Sequence, residues 1–373
     1  MERVIFHCDC NSFYASVELL SHPELRTRPV AVCGDPKSRH GIILAKNEPA
    51  KAQGVKTAET IWQARRKCPD LTLLPAHHEL YRAYSKKVNA IYERFTDLVE
   101  PFGIDESWLD VTGTLHLFGG DAAALADRIR GTVRSELGLT VSVGVSFNKV
   151  FAKLGSDYKK PDATTCITAE NFRRIVWPLP VTDLLFVGRA AARVMGRYGI
   201  HTIGQLAAFD REALVRLLGK AGGQLWSYAN GLDSSPVAPA GQYTPPKSVG
   251  NGLTFPHNLT TREEVRQGLA LLCDQVAVRL RRHGLKAATV QVTIRDPDFK
   301  DICRQRPLDA PACTARELHR AAVDIVARAW RPNAPIRALT VTAHNLIPEE
   351  ECAEQQMETL WDEYTRPRNP QIY

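Results

Sequence analysis

No apolar run in this 373-residue sequence approaches the roughly 18 residues that a membrane span needs, and no secretory signal pattern is present. The nine cysteines are scattered; only Cys8 and Cys10 are close, and none has C-x-x-C spacing. Neither a zinc site nor a disulfide framework is supported, so reduced thiols in a cytoplasmic protein are expected. Positive charge is in excess, at a net +7, but it is unevenly spread. Residues 247–347 hold 16 Lys or Arg against 9 Asp or Glu, residues 1–246 hold 30 against 25, and the tail 348–373 holds 2 against 7. A basic segment favours a polyanionic partner through counterion release, although ordinary solvated surface accounts for an excess of this size equally well. The length exceeds what one hydrophobic core usually spans, so several domains are expected.

What the sequence does have is two carboxylate clusters about a hundred residues apart. Asp9 sits in Val4-Ile5-Phe6-His7-Cys8-Asp9-Cys10, and Asp105-Glu106 sits in Phe102-Gly103-Ile104-Asp105-Glu106-Ser107-Trp108-Leu109-Asp110-Val111. Each lies in or beside a β-branched, aromatic-rich run that reads as a short strand. Taken alone, an Asp at a strand end is a turn or cap residue, and Asp-Glu is solvated surface. If the strands are neighbours, three carboxylates converge, and like charges that close shift their pKa or bind a cation. Hard oxygen ligands favour Mg²⁺ or Mn²⁺ over zinc, and a two-metal carboxylate site is the usual apparatus of nucleotidyl transfer.

The pattern places a strand ending at Asp9, short helices and loops over 13–78, and a long helix over 79–99. A strand pair flanks Asp105-Glu106. Asp121 caps a helix with an apolar stripe at Leu125, Ile129, Val133 and Leu137. In 139–147 large apolar residues alternate with small ones, which predicts a half-buried strand. Residues 168–234 read as small and helical, with Arg189, Arg193 and Arg197 at i, i+4 spacing. Ser234 to Gly241, closed by Pro245-Pro246, has linker composition. Beyond it come strand 248–256, helix 261–283, strands 286–295 and 299–306, helix 314–331 and strand 336–344. Capping-box sequences open both helices, at Thr261–Glu264 and Thr314–Glu317. That β-α-β-β-α-β order is the ferredoxin-like unit.

Three blocks resemble motifs of the Y-family DNA polymerases, in particular their DinB-type bacterial group. Asp9-Cys10-Asn11-Ser12-Phe13-Tyr14-Ala15-Ser16-Val17-Glu18 is similar to D-x-D/N-x-F/Y-F/Y-A-x-V-E. Ile104 to Thr112 is similar to x-D-E-x-x-L-D-V-T. Val143 to Pro161 is similar to the block that carries N-K-x-x-A-K and ends in K-P. The resemblance covers about residues 1–347. It implies an α+β multidomain, right-hand polymerase. The palm (1–12 and 79–167) would be a ferredoxin-like sheet with helices behind, and the fingers would be 13–78. A helix-hairpin-helix thumb (168–234), a linker (235–246), a β-α-β-β-α-β little finger (247–347) and an acidic tail (348–373) would follow. The implied activity is template-directed addition of dNTPs to a primer 3′-hydroxyl, low in fidelity and able to bypass damaged bases. No exonuclease block is present, and a monomer is expected.

By the same resemblance Asp9, Asp105, Glu106 and the Cys10 backbone carbonyl hold two Mg²⁺ ions, for which Mn²⁺ can substitute. Phe13 and Tyr14 meet the nucleotide, Tyr14 as the ring that excludes a 2′-hydroxyl, and Lys51 and Lys160 meet the triphosphate. The sequence departs from the family at Glu48 and Lys51, where an aromatic and an arginine are usual, and at Phe186-Val187-Gly188, where the thumb hairpin is usually G-V-G. Arg189, Arg193, Lys247, Arg281, Arg295 and Arg304 are expected on the primer-template DNA, together with Arg282, Lys286, Lys300 and Arg306. In the tail, Gln356, Met357, Leu360 and Trp361 resemble a sliding-clamp motif with one extra residue; Met357, Leu360, Trp361 and Tyr364 also fit one face of an amphipathic helix packed on the little finger. Two rivals stand beside this reading. A palm-fold nucleotidyl cyclase would carry G-G-D/E-E-F where this chain has Phe102-Gly103-Ile104-Asp105-Glu106. A non-catalytic DNA-binding accessory of a mutagenic polymerase complex would lack the acids that survive here.

Overall fold

The computed structural model describes residues 2–35, 41–242 and 245–351, and the chain divides into two compact units, residues 1–242 and 243–373. The first unit opens with β1 (Ile5–Cys10), α1 (Phe13–Ser21), β2 (Val30–Cys33), β3 (Ile43–Lys46), α2 (Glu48–Ala52), α3 (Ile61–Lys67) and β4 (Thr72–Pro75). It continues through α4 (His78–Tyr92), β5 (Val99–Pro101), β6 (Glu106–Asp110), α5 (Ala122–Leu137), β7 (Val141–Ser146), α6 (Lys149–Tyr158) and β8 (Thr164–Ile167). Five short helices come next: α7 (Phe172–Val176), α8 (Arg189–Gly196), α9 (Ile203–Ala208), α10 (Arg211–Leu218) and α11 (Lys220–Ala229).

The main sheet has the order β5-β6-β1-β7-β8, with β1 antiparallel to both β6 and β7. A smaller sheet, β3-β2-β4, is inserted in sequence between β1 and β5. Asp121 does cap α5, accepting from Ala123 N (2.8 Å) and Ala124 N (3.2 Å), and Leu125, Ile129 and Val133 are buried as the stripe requires. Two expectations need correction. The helix expected over 79–99 stops at Tyr92, and the chain turns so that the Thr96 hydroxyl donates to Asp110 O (2.7 Å). Strand β7 is buried along its whole length rather than half-buried. Its small-residue face is covered by α6 at backbone range: a Cβ on Gly144 would lie 1.9 Å from Ala152 O. The alternation of large and small residues therefore marks two kinds of packing, not core against solvent.

Residues with linker composition are likewise held in place as far as 240. Val237 is buried with Ile5, Trp108 and Ala152, Ala238 N donates to Glu100 Oε2 (2.9 Å), and Ala240 N donates to Asp97 O (2.8 Å).

The second unit runs β9 (Ser248–Leu259), α12 (Arg262–Arg282), β10 (Leu285–Arg295), β11 (Asp301–Ala312), α13 (Ala315–Ala329) and β12 (Ile336–Pro348). Its sheet has the order β11-β10-β12-β9, antiparallel throughout, so each helix joins two strands with a third between them. Thr261 and Glu264 form the expected capping box. The apolar sides of α12 and α13 close one core over the sheet. Among the described residues all eight cysteines are free, and no helix is long and apolar enough to cross a membrane.

Candidate active site

Strand register brings the two carboxylate clusters together. Asp9 on β1 lies directly opposite Glu106 on β6, so both side chains leave the same face of the sheet. Asp105 occupies the turn into β6, where its carbonyl accepts from Cys10 N (2.9 Å). Asn11 ties the end of β1 to its surroundings, donating to Ser142 Oγ (2.8 Å) and accepting from Asp162 N (2.8 Å).

The carboxylates meet two lysines. Lys153, aimed at the sheet by the close seating of α6, lies 2.6 Å from Glu106 Oε2, 3.1 Å from Asp9 Oδ2 and 3.3 Å from Asp157 Oδ2. Lys160 is 2.7 Å from Asp9 Oδ2 and 2.7 Å from Asp157 Oδ1. Burial would raise the Glu106 pKa, but the Lys153 ammonium, which donates to its carboxylate, helps hold it at about 2. Among the described residues no ammonium forms an ion pair with Asp105, and Lys160 lowers its pKa only at longer range. Burial and the charges of Asp9 and Glu106 push it up to about 6.

The sequence assigned oxygen ligands alone to this cluster; the structure adds an imidazole. His7 is fully buried, with Nε2 3.4 Å from Glu106 Oε2, and one ligand atom from each of His7, Asp9 and Glu106 lies within 4.8 Å of the others. Ser156 Oγ donates to Lys153 O (2.8 Å), so His7 Nδ1, 2.8 Å away, donates to Ser156. Burial lowers the His7 pKa, and its neutral Nε2 is left without a hydrogen-bond partner, facing the carboxylates. Four carboxylates (Asp9, Asp105, Glu106, Asp157) against two ammonium groups leave a local negative excess. That excess, an oxygen-rich donor set and an orphaned buried nitrogen beside it fit a divalent cation.

A cleft of about 540 Å³ opens over this cluster. Asp9, Cys10, Phe13, Tyr14, Lys51, Asp105, Glu106 and Lys160 all border it, so every expected metal and nucleotide residue of the first unit is brought to one place. Phe13 is nonetheless mainly a core side chain, 3% exposed. Glu48 and Lys51 pair across one helical turn at 3.5 Å, both half-exposed on α2, whose cap Asn47 accepts from Ala50 N (3.2 Å). The departure from the family pattern is thus a mutually neutralised pair at the cleft edge. Sequence reading missed Lys46, Lys153 and Asp157, which also line the cleft. Lys153 stood in the quoted N-K-x-x-A-K block, where its spacing four residues past Lys149 was the available signal.

The expected DNA-contacting residues divide into several groups. Arg189, Arg193 and Arg197 are exposed, and among the described residues none of their side chains makes a hydrogen bond or ion pair. In the second unit Arg295 is held bidentately by Asp301 (2.7 and 2.7 Å) and Arg306 by Asp324 (2.7 Å). Arg304 pairs in register with buried Val292 and so lies on the helix-covered side of the sheet edge, whereas Arg295 lies on the open side. Arg281 sits at the end of α12 and donates to Cys313 O (3.3 Å), while Lys247 is exposed just before β9. Within the second unit, Arg295 and Arg304 thus lie on opposite faces of the sheet. Gln356, Met357, Leu360 and Trp361 lie outside the described residues.

Comparison with known proteins agrees with this architecture. Family models described as the impB/mucB/samB family and its C-terminal domain match residues 8–157 and 246–358. A DNA polymerase IV of Acetivibrio thermocellus is 50% identical over 95% of this chain and 88% of its own length. DNA polymerase IV 1 of Bacillus subtilis is 39% identical over 95% of this chain and 84% of its own. A solved Y-family DNA polymerase chimera superposes with a TM-score of 0.82 at 22% identity, over 92% of this chain and 99% of that one, which gives the fold as the right-hand one with palm, fingers, helical thumb and little finger. Sequence, register and fold agree: the chain belongs to the Y-family DNA polymerases, in their DNA polymerase IV group, a family of DNA-directed DNA polymerases.

Proposed function

We propose that this chain extends a primer 3′-hydroxyl with dNTPs through two divalent cations, and that its working role is synthesis across damaged template bases. The observation that carries the reading is the convergence of Asp9, Asp105 and Glu106 in the cleft that also holds Tyr14, Lys51 and Lys160. Asp9 and Asp105 would hold both ions, with Glu106 and the Cys10 carbonyl completing the set. Mg²⁺ bound there would supply activation of the primer hydroxyl and neutralisation of the triphosphate. Lys51 and Lys160 bind phosphate oxygens, and Tyr14 lies against the sugar. Lys153 keeps Asp9 and Glu106 paired until cations take its place.

In this reading 1–12 and 79–167 form the palm, 13–78 the fingers, 168–234 the thumb and 247–347 the little finger. The free arginines of α8 grip the DNA backbone. The enzyme acts as a monomer in the cytoplasm, and the tail segment around Gln356 and Trp361 reaches a sliding clamp.

Primer extension with Mg²⁺ and each dNTP, on undamaged and lesion-bearing templates, tests the proposal. Asp105→Ala and Glu106→Ala are expected to lower extension by at least about a hundredfold while primer-template affinity stays within about threefold. Near-parental extension by either variant would sink the metal-site assignment.

A further inference from the structure

Tyr14, in the cleft wall, is backed by other rings. Its ring lies flat on that of Tyr81, with centroids 4.1 Å apart and planes 14° apart, and meets His78 edge-on at 5.9 Å. Tyr81, from α4, is fully buried. Its hydroxyl donates to Glu18 Oε1 and accepts from the His77 backbone N–H (3.0 Å). Glu18 also lies 2.9 Å from His77 Nδ1. It follows Tyr14 by four residues on α1, so both share one helix face. Burial and the hydrogen bond to Glu18 push the Tyr81 hydroxyl above its ordinary value, so it remains a donor across the neutral range.

Glu18 is only 5% exposed. A buried carboxylate is costly wherever an apolar or amide side chain would pack as well. Packing α1 on α4 requires no charge, so the carboxylate calls for another explanation. What it has is a strong, directional acceptor that fixes the Tyr81 ring in its own plane, and that ring is the surface on which Tyr14 rests.

We propose that Glu18 is a positioning residue for sugar selection: by holding the Tyr81 hydroxyl it sets the plane of Tyr81, and through the stack it sets how closely Tyr14 approaches the 2′-carbon of the incoming nucleotide. This inference rests on reading Tyr14 as the ring that meets the sugar. Exclusion of one hydroxyl depends on sub-ångström placement, so a ring free to tilt admits the ribonucleotide while still seating the deoxynucleotide.

The test is kcat/KM for a dNTP and the matching rNTP, measured with the full chain on one primer-template, for Tyr14→Ala, Tyr81→Phe, Glu18→Ala and Glu18→Gln. In Tyr81→Phe and Glu18→Ala the dNTP-over-rNTP ratio is expected to fall on the order of tenfold. The dNTP value itself should stay within about threefold, so the change lies in better use of rNTP. Glu18→Gln, whose amide oxygen still accepts from Tyr81 but more weakly than a carboxylate, should recover part of the ratio. Tyr81→Phe removes one oxygen and carries the test even where Glu18→Ala fails to fold. An equal loss on both substrates, with the ratio unchanged, would reduce the pair to packing and overturn the proposal. If Tyr14→Ala lowers the ratio and Tyr81→Phe does not, the proposal alone fails. If Tyr14→Ala leaves the ratio unchanged, the reading of Tyr14 fails and the proposal with it.

Discussion

At the scale of single residues, the site is a problem of like charges. Asp9 and Glu106 face one another across two strands, and the group now between them is the Lys153 ammonium. Burial would lower the Lys153 pKa, but Asp9, Asp157 and Glu106 together raise it, so the lysine is charged across the neutral range. Lys153→Met keeps an unbranched side chain one atom shorter and removes the charge, leaving two carboxylates without their shared partner. Unpairing a fully buried ion costs about 3–5 kcal/mol. Here the groups are 11–19% exposed, so water relieves part of that, and a loss of about 1–3 kcal/mol is expected without metal. Mg²⁺ should then raise Tm more in the variant than in the parent, because the cation no longer displaces a tethered ammonium. Thermal unfolding with EDTA and with Mg²⁺ measures both. Equal Tm values without metal, or equal Mg²⁺ shifts, would show that Lys153 does not guard the carboxylates.

At the scale of elements, the turn before α8 is where the sequence departs from the family's G-V-G and the backbone does not follow. Phe186 takes φ +70°, in the left-handed region, and is 63% exposed, its ring 6.1 Å from that of Tyr228. Left-handed backbone costs a side-chain-bearing residue about 1–2 kcal/mol. Glycine removes that strain and adds unfolded-state entropy worth roughly 0.5–1 kcal/mol. Phe186→Gly is therefore expected to be as stable as the parent or slightly more so, and β-branched Phe186→Val less stable by about 1–2 kcal/mol. Denaturant unfolding decides it; a marked loss in Phe186→Gly with none in Phe186→Val would refute the strain. Elements with local causes were legible from the residues: the Asp121 cap and the Thr261 capping box each lie within a few positions of what they stabilise. The burial of β7 was not legible, since it depends on α6 settling onto Gly144 from the next segment of chain. The site was half legible for the same reason. Motifs named Asp9, Asp105 and Glu106, but only register makes Asp9 and Glu106 opposite neighbours, and only the seating of α6 brings Lys153 between them.

At the scale of the whole molecule, charge counted along the sequence differs from charge available to a partner. Residues 247–347 carry the densest basic excess, yet Arg295 and Arg306 are already engaged by Asp301 and Asp324. Arg189 and Arg193, from a segment with a smaller excess, carry no such partner among the described residues. A phosphate contact releases counterions only when it brings uncompensated charge, at a slope of about 0.9 per contact in log K against log salt. Replacing both Arg189 and Arg193 by Ala should reduce that slope by about 2 on a primer-template duplex. Replacing the compensated pair together, Arg295→Ala with Asp301→Ala, should leave it nearly unchanged. Fluorescence anisotropy titrations between about 50 and 200 mM salt give both slopes. The reverse ranking would mean that Asp301 releases Arg295 to the DNA and that the α8 arginines face solvent in the complex. Counting basic residues by segment would then have been the better guide.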